Sequence, residues 1–471
     1  MLFNSVGFLI FFPVVTIVFF LLYHQYRWMW LLAASCFFYM FFKPEYILIL
    51  AFTIVIDYYA GLLLERETDL KKRKRYLVLS LVANIGVLAI FKYFNFINDN
   101  ITGFVSVFNY KNHIPYLNMI LPIGLSFHTF QAMSYTIEVY KGNHKAEKHF
   151  GIYALYVMFY PQLVAGPIER PQNILYQFHS RKYFNYDNAV TGLRLIAWGL
   201  FKKIVIADRL ALYVNQVYAD VNNANSLSVL LAIIFFSLQI YTDFSGYSDI
   251  ARGAAKVMGY DLLINFNAPF KSKSISEFWR RWHISLSTWF FDYLYYPLAL
   301  SFRDFNKAGI ALALLITFFL SGLWHGAGWT FILYGVLHGA ALVYELYTKK
   351  IRKKIFGKLP VAINVFLTRL FVLLYLAFSW VFFRSENLHK VKFVFSKLFE
   401  LNFSINFVQL FASQGPFKFA NILFTLILCY LLSVMSKKMP GRYNVPYIFI
   451  LIFLIIILGE NGATQFIYFQ F

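Results

Sequence analysis

Apolar residues along this chain come in long runs rather than in short amphipathic stripes. A bilayer-spanning helix needs about 20 mostly apolar residues. Runs of that kind lie near 7–23, 28–42, 46–64, 76–93 and 117–137, with less regular ones at 150–165, 188–218 and 226–243. The C-terminal half adds 308–346, 361–383, 418–436 and 445–459. The pattern predicts an all-α polytopic membrane protein with about eleven transmembrane helices, joined by several short re-entrant or interfacial ones. No repeat or low-complexity linker divides the chain, so residues 1–471 read as a single domain. The first run lacks the basic leader and small-residue cleavage site of a signal peptide and reads as a retained helix.

Two stretches depart from ordinary spans. In the first, residues 266–297, Ser274-Ile275-Ser276-Glu277 has the spacing of a capping box and predicts a helix from Ile275. Continued, that helix carries Phe278-Trp279-Arg280-Arg281-Trp282-His283, with Trp279 one turn before His283. Two arginines and a histidine among tryptophans suit an interface or a polar cavity better than a lipid-facing span. In the second, the 39 residues of 308–346 would make one helix about 58 Å long against a hydrocarbon core of roughly 30 Å. The glycines of Ser321-Gly322-Leu323-Trp324-His325-Gly326-Ala327-Gly328-Trp329 mark the break. Interrupted backbone at membrane depth survives only where protein or a water-filled cavity satisfies it, so His325 is expected on an interruption facing a cavity.

Composition removes the soluble alternative. The chain is 60% hydrophobic and 14% charged, against a usual charged share of roughly 25%. Its formal net charge of +21 sits in short clusters between apolar runs: Lys71-Lys72-Arg73-Lys74-Arg75, Lys349-Lys350 with Arg352-Lys353-Lys354, and Lys437-Lys438 with Arg442. Such clusters stay cytoplasmic during insertion and touch anionic lipid, which makes the bilayer the partner and excludes nucleic acid. With the first cluster inside, the N-terminus lies outside and Arg27 inside. Cys36 and Cys429 both fall within apolar runs and read as small buried hydrophobes.

Ionisable groups within apolar segments are costly and are candidates for function. A neutral imidazole can take a proton from a hydroxyl, which puts His325 first, with a structural histidine as the alternative. His283 is second; Arg280 and Arg281 beside it would keep it neutral or bind a phosphate, carboxylate or lipid head group. Trp279, Arg280, Arg281, Trp282 and Trp324 are candidate substrate- or donor-binding residues, alongside an interfacial-anchor reading of the same cluster. Asp243 has no local partner in the sequence and is open to a polar-cavity role. His128 and Gln131 share one helix face; these and His338 serve either a cavity or hydrogen bonding between helices. No Walker A loop, HExxH zinc motif, Cys cluster or Gly-x-Ser-x-Gly elbow occurs. No permanent cofactor or metal is expected.

Several stretches together resemble the membrane-bound O-acyltransferase (MBOAT) family, and within it the bacterial alginate O-acetylation branch. They are Phe3-Asn4-Ser5 with Phe8-Leu9-Ile10-Phe11-Phe12-Pro13, Leu121-Pro122-Ile123-Gly124-Leu125-Ser126-Phe127, and Tyr160-Pro161-Gln162-Leu163-Val164-Ala165-Gly166-Pro167-Ile168. Further along come Asp243-Phe244-Ser245-Gly246-Tyr247-Ser248-Asp249, the 278–287 segment around His283, and Gly322-Leu323-Trp324-His325-Gly326. The resemblance implies a multi-helix fold around a polar funnel in the bacterial inner membrane. It matches His325 to the family's catalytic histidine and His283 to a second histidine of the same site. It also implies an acyl thioester donor such as acetyl-CoA arriving from the cytoplasm. The acceptor hydroxyl belongs to an extracytoplasmic polysaccharide, alginate-like or cell-wall, or to a partner, and a separate SGNH-type transferase completes delivery. D-alanyl transfer to teichoic acid shares the Trp-Arg-Arg-Trp-His core. From other classes, a transporter and a non-catalytic scaffold for polysaccharide export stay open; no matching glycine break in the N-terminal half supports the transporter.

Overall fold

In lipid every backbone N–H and C=O must be satisfied within the protein, and for single segments only the helix does so. The computed structural model follows that rule. It describes residues 1–118, 121–402, 415–438, 440–460 and 466–467, and all regular structure among them is helical. Met119 and Ile120 of the expected 117–137 run, and the side chains of the Lys437-Lys438-Arg442 cluster, lie outside the described residues.

In chain order the helices are α1 (Val6–Leu21), α2 (His24–Met40), α3 (Ile47–Arg66) and α4 (Leu70–Leu88), the last running on through a widened turn into α5 (Phe94–Ser106). Then come α6 (Leu125–Lys141), α7 (Phe150–Met158), α8 (Pro171–His179), α9 (Tyr186–Leu200), α10 (Asp208–Ala219) and α11 (Ser226–Val257). Short helices α12 (Ile275–Trp279), α13 (Ile284–Phe290) and α14 (Tyr296–Ser301) precede α15 (Asn306–His325), α16 (Trp329–Phe356) and α17 (Val361–Arg384). The chain closes with α18 (Leu388–Phe399), α19 (Gly415–Lys438) and α20 (Asn444–Leu458). Seven helical stretches among the described residues are long and apolar enough to span a membrane, from Pro44–Arg66 to Gly415–Ser436; Val6–Leu21 and Asn444–Leu458 are shorter apolar helices. Large apolar side chains such as Leu48, Phe371 and Ile456 stand exposed on them, as lipid contact requires and water would not allow.

The chain divides into two compact units, Met1–Ile196 with Ile250–Leu263, and Ala197–Asp249 with Ile264–Phe471. In the first, α3, α4 and α6 meet at a buried polar hub. The Asp57 carboxylate accepts from Ser80 Oγ at 2.5 Å and from Asn84 Nδ2 at 2.9 Å, and Ser80 Oγ lies 3.2 Å from Thr136 Oγ1. Arg27 closes the α1–α2 corner, donating to the Leu22 carbonyl at 2.9 Å and stacking over Phe19.

The second unit holds the broken 308–346 run. The break falls where the glycines predict it, at 326–328, but it is a turn between two antiparallel helices, each long enough for its own span, and not an interruption within one span. Small residues let the two backbones touch. A Cβ on Gly322 would lie 2.3 Å from the Phe331 carbonyl oxygen, and one on Gly335 would lie 2.2 Å from that of Phe318. Lower on the seam Gly339 faces Leu315. A Gly322→Val variant therefore has to push α15 and α16 apart, at a cost of about 1–3 kcal/mol or more. Its monodisperse yield and thermal midpoint in detergent should both fall, whereas Gly86→Ala, with nothing within 4 Å of the new methyl, should leave both unchanged.

Candidate active site

His325 is the last residue of α15 and is buried. Three aromatic rings enclose it: Trp324 from the preceding position, Tyr334 from α16 and Phe383 from α17, at centroid distances of 5.0, 5.8 and 5.4 Å. The Gly326–Gly328 turn is what allows this. Its backbone is extended, and the Phe331 ring packs so close to Gly326 that a Cβ there would come within 2.2 Å of it.

His283 is also buried, and it is not on a helix face. α12 opens as the capping box predicts, with Ser274 Oγ accepting the Glu277 N–H at 3.0 Å, while the Glu277 carboxylate accepts from Lys273 N–H at 2.9 Å. The helix then stops at Trp279: the N–H groups of Arg281 and Trp282 still reach the Phe278 carbonyl, but the Arg281 carbonyl accepts from the Asn267 N–H at 2.9 Å instead of continuing the ladder. His283 follows in the left-handed region, φ 43°, immediately before α13. Asn265 holds this bend: its carbonyl accepts from Ile284 N–H at 3.0 Å, and its Oδ1 accepts from Ser285 N–H and Oγ at 3.2 and 2.6 Å. Those bonds satisfy donors that the start of α13 leaves over. The expected register, with His283 one helical turn after Trp279, is thus corrected by a sharp bend. The bend brings His283 against Phe244, 4.6 Å away, and against Trp324, 6.1 Å away. One indole ring therefore touches both histidines. Burial holds the His283 imidazole well below its ordinary pKa, and the neighbouring His325 adds to the effect; the flanking arginines are not its cause.

The other candidates separate. Trp279 donates from Nε1 to His338 Nδ1 at 3.3 Å, so the proton on His338 sits on Nε2, 3.2 Å from Ser379 Oγ. Trp282 is buried, stacked on Phe278 with Phe266 edge-on to it and Trp380 tilted against it. Arg281 is committed to Glu277 at 2.9 Å and to the Asn267 carbonyl. Arg280 is exposed and lines a cavity of about 870 Å³ together with Trp279, Thr317, Ser321, Lys349 and Arg352. Ser321 lies one helical turn before His325, and Ile284, also in the lining, adjoins His283.

Asp243 is not open to a cavity. Its Oδ1 accepts from Lys203 Nζ at 2.8 Å and its Oδ2 from the Ile467 N–H at 2.8 Å. Lys203 also pairs with Asp208 at 2.7 Å, and all three side chains are almost fully buried. Lys202 pairs with Asp249 at 2.7 Å. Sequence reasoning missed both lysines; two cations followed by Asp208 inside the apolar 188–218 run were the available signal. It also missed Glu345, whose carboxylate accepts the N–H groups of Ile275 and Ser276 at 2.7 and 3.1 Å and so caps α12 from α16. His128 and Gln131 belong to the first unit. Gln131 donates to the Tyr156 carbonyl, and neither ring nitrogen of the buried His128 has a hydrogen-bond partner among the described residues.

The model of the membrane-bound O-acyltransferase family matches residues 148–384, and the chain belongs to that family: it is a multi-pass membrane O-acyltransferase. It is 35% identical over 403 residues to a peptidoglycan O-acetyltransferase of Helicobacter pylori, covering 79% of this chain and 74% of that one. It is 35% identical over 416 residues to a probable alginate O-acetylase of Pseudomonas aeruginosa, covering 87% and 76%. A teichoic acid D-alanyltransferase of Bacillus subtilis is 30% identical over 221 residues, covering 45% of this chain and 56% of that one.

Two outcomes follow. Lys203→Met leaves two carboxylates buried without their cation and should cost about 3–5 kcal/mol; adding Asp243→Asn should recover part of it in thermal unfolding. The folded pKa of His283 lies below the unfolded value of about 6.5, so the unfolded chain binds the extra proton and stability is lost as pH falls below about 6.5. The thermal midpoint should drop from pH 7.5 to 5.5, and less so in His283→Asn, since asparagine accepts a left-handed backbone.

Proposed function

We propose that this protein carries acetyl from a cytoplasmic thioester, acetyl-CoA, to hydroxyl groups of an extracytoplasmic polysaccharide at the bacterial inner membrane, with His325 as the base. The observation that carries the reading is the enclosed pair of histidines meeting on Trp324, one of them held neutral, within a helical turn of a large cavity. The relatives that align over most of this chain are named for O-acetylation, which favours acetyl over D-alanyl. Whether the polymer is alginate-like or peptidoglycan, it lies outside the cell; an SGNH-type transferase there would take over the acetyl group.

The donor side is the 870 Å³ cavity. Arg280, Lys349 and Arg352 there suit the phosphates of a nucleotide thioester, and Leu314, Phe318 and Leu342 suit its apolar arm. Lys349 also starts the basic run to Lys354, which the positive-inside rule assigns to the cytoplasm; the same rule sets the N-terminus outside. In the reaction neutral His325 takes the proton of the attacking hydroxyl as its oxygen bonds to the thioester carbon. The tetrahedral intermediate then collapses, the C–S bond breaks, and the imidazolium returns the proton to the leaving thiolate. His283 lines the same enclosure and orients the acyl group or the hydroxyl.

In a deletion strain complemented with His325→Ala at normal expression, polymer-bound acetyl measured by mass spectrometry should fall by about 10²–10⁴-fold; full acetylation would overturn the reading. Arg280→Gln, at an exposed position, should raise the apparent KM for acetyl-CoA about three- to tenfold with little change in kcat, as loss of uniform donor binding predicts.

A further inference from the structure

His338 is fully buried on α16, one helical turn after Tyr334. Its two ring nitrogens reach different helices. Nδ1 accepts from Trp279 Nε1, at the end of α12, at 3.3 Å. Nε2 donates to Ser379 Oγ, on α17, at 3.2 Å, and that hydroxyl passes its own proton to the Leu376 carbonyl at 2.9 Å. Each donor in this relay has one acceptor, so the imidazole can neither turn over nor take up a second proton without losing a bond to Trp279 or Ser379. A buried indole N–H left without its acceptor is costly in turn. The relay thus fixes the plane of His338 and, through it, the plane of Trp279.

What lies on either side gives the fixed ring its meaning. On one side Trp279 lines the 870 Å³ cavity together with Phe318, the two rings edge-on at 5.1 Å. On the other side the Tyr334 ring lies 4.6 Å from His338 and 5.8 Å from His325. Phe383 closes that side, 5.2 Å from Tyr334 and 5.4 Å from His325. Trp279, His338, Tyr334 and His325 are therefore four rings in unbroken contact, from the cavity wall to the base. Aromatic packing alone tolerates small shifts of each ring, whereas His338 is tied to two neighbouring helices by directed bonds. A transfer reaction is sensitive to such shifts, because a misplacement of about 1 Å can cost a hundredfold in rate.

We propose that His338 is a positioning residue of the acyl transfer, holding the Trp279 indole as a wall of the donor cavity and the Tyr334 ring against His325. The proposal rests on the reading of that cavity as the acetyl-CoA site. Two quantities test it: the Kd of acetyl-CoA for the full chain in nanodiscs, by calorimetry, and labelled acetyl entering the polymer during a short pulse in the complemented strain, per amount of protein. His338→Leu deprives the Trp279 N–H of its acceptor and should raise the Kd about tenfold. His338→Asn places Oδ1 where Nδ1 stands, so the Kd should stay within about twofold of wild type; it removes the ring behind Tyr334, so the pulse rate should fall about tenfold. Ser379→Ala deletes one hydroxyl, releases the Nε2 proton and should raise the Kd about threefold. A merely structural role would lower the yield of folded protein and leave the Kd of the folded fraction unchanged. Wild-type Kd in both His338→Leu and Ser379→Ala, or a wild-type pulse rate in His338→Asn, overturns the proposal. Should His338→Leu not fold, Ser379→Ala and His338→Asn decide it by the same criteria. If acetyl-CoA binds the wild type and Arg280→Gln weakens it, such a failure belongs to His338 alone; if the wild type does not bind acetyl-CoA, the donor-cavity reading falls and this proposal with it.

Discussion

Contact between the backbones of α15 and α16 governs the site. Where Gly322 meets Phe331 and Gly335 meets Phe318, there is no space for a side chain between the helices. That closeness lets α15 end beside the first turn of α16, and it places His325 against Tyr334 rather than out in lipid. Without a hydrophobic drive between helices in a bilayer, such packing is the main attraction available. The hairpin then sets the rest: Tyr375 on α17 donates to the Leu337 carbonyl at 2.6 Å, Ser379 meets His338, and Phe383 reaches the catalytic candidate.

A second constraint is the cost of charge in an apolar interior. The second unit meets it by placing cations between carboxylates, as at Lys203 with Asp208 and Asp243. The first unit meets it with neutral donors around Asp57. The contrast separates two kinds of buried ionisable group. Those in closed networks hold helices in register, whereas His283 and His325 are wrapped by aromatic rings.

Much of this was legible in the residues. Run length and glycine spacing placed the break within 321–329, around His325, because an apolar run of nearly two spans is expected to turn and small residues mark where it does. The capping box located the start of α12, because Ser274 acts through the next turn of its own helix. What escaped was long-range or conformational. Lys203 and Asp243 are 40 residues apart, so no local pattern pairs them, and Asp243 read as free. The left-handed backbone of His283 depends on Asn265, 18 positions earlier; periodicity alone carried the helix straight through. His325 and His283 were both named from the sequence, yet their meeting on Trp324 was not, since it needs the bend and the hairpin together.

The aromatic enclosure of His325 has a consequence for the membrane as a whole. A centre reached by donor and acceptor from opposite faces, as proposed, stands between two aqueous compartments that differ in electrical potential. A continuous file of water through it would let protons run down that potential, worth about 2.3 kcal/mol per charge for each 100 mV. Trp324, Tyr334 and Phe383 fill the space around the imidazole with rings. An acyl group would then change carriers across this barrier while the bilayer stays electrically tight.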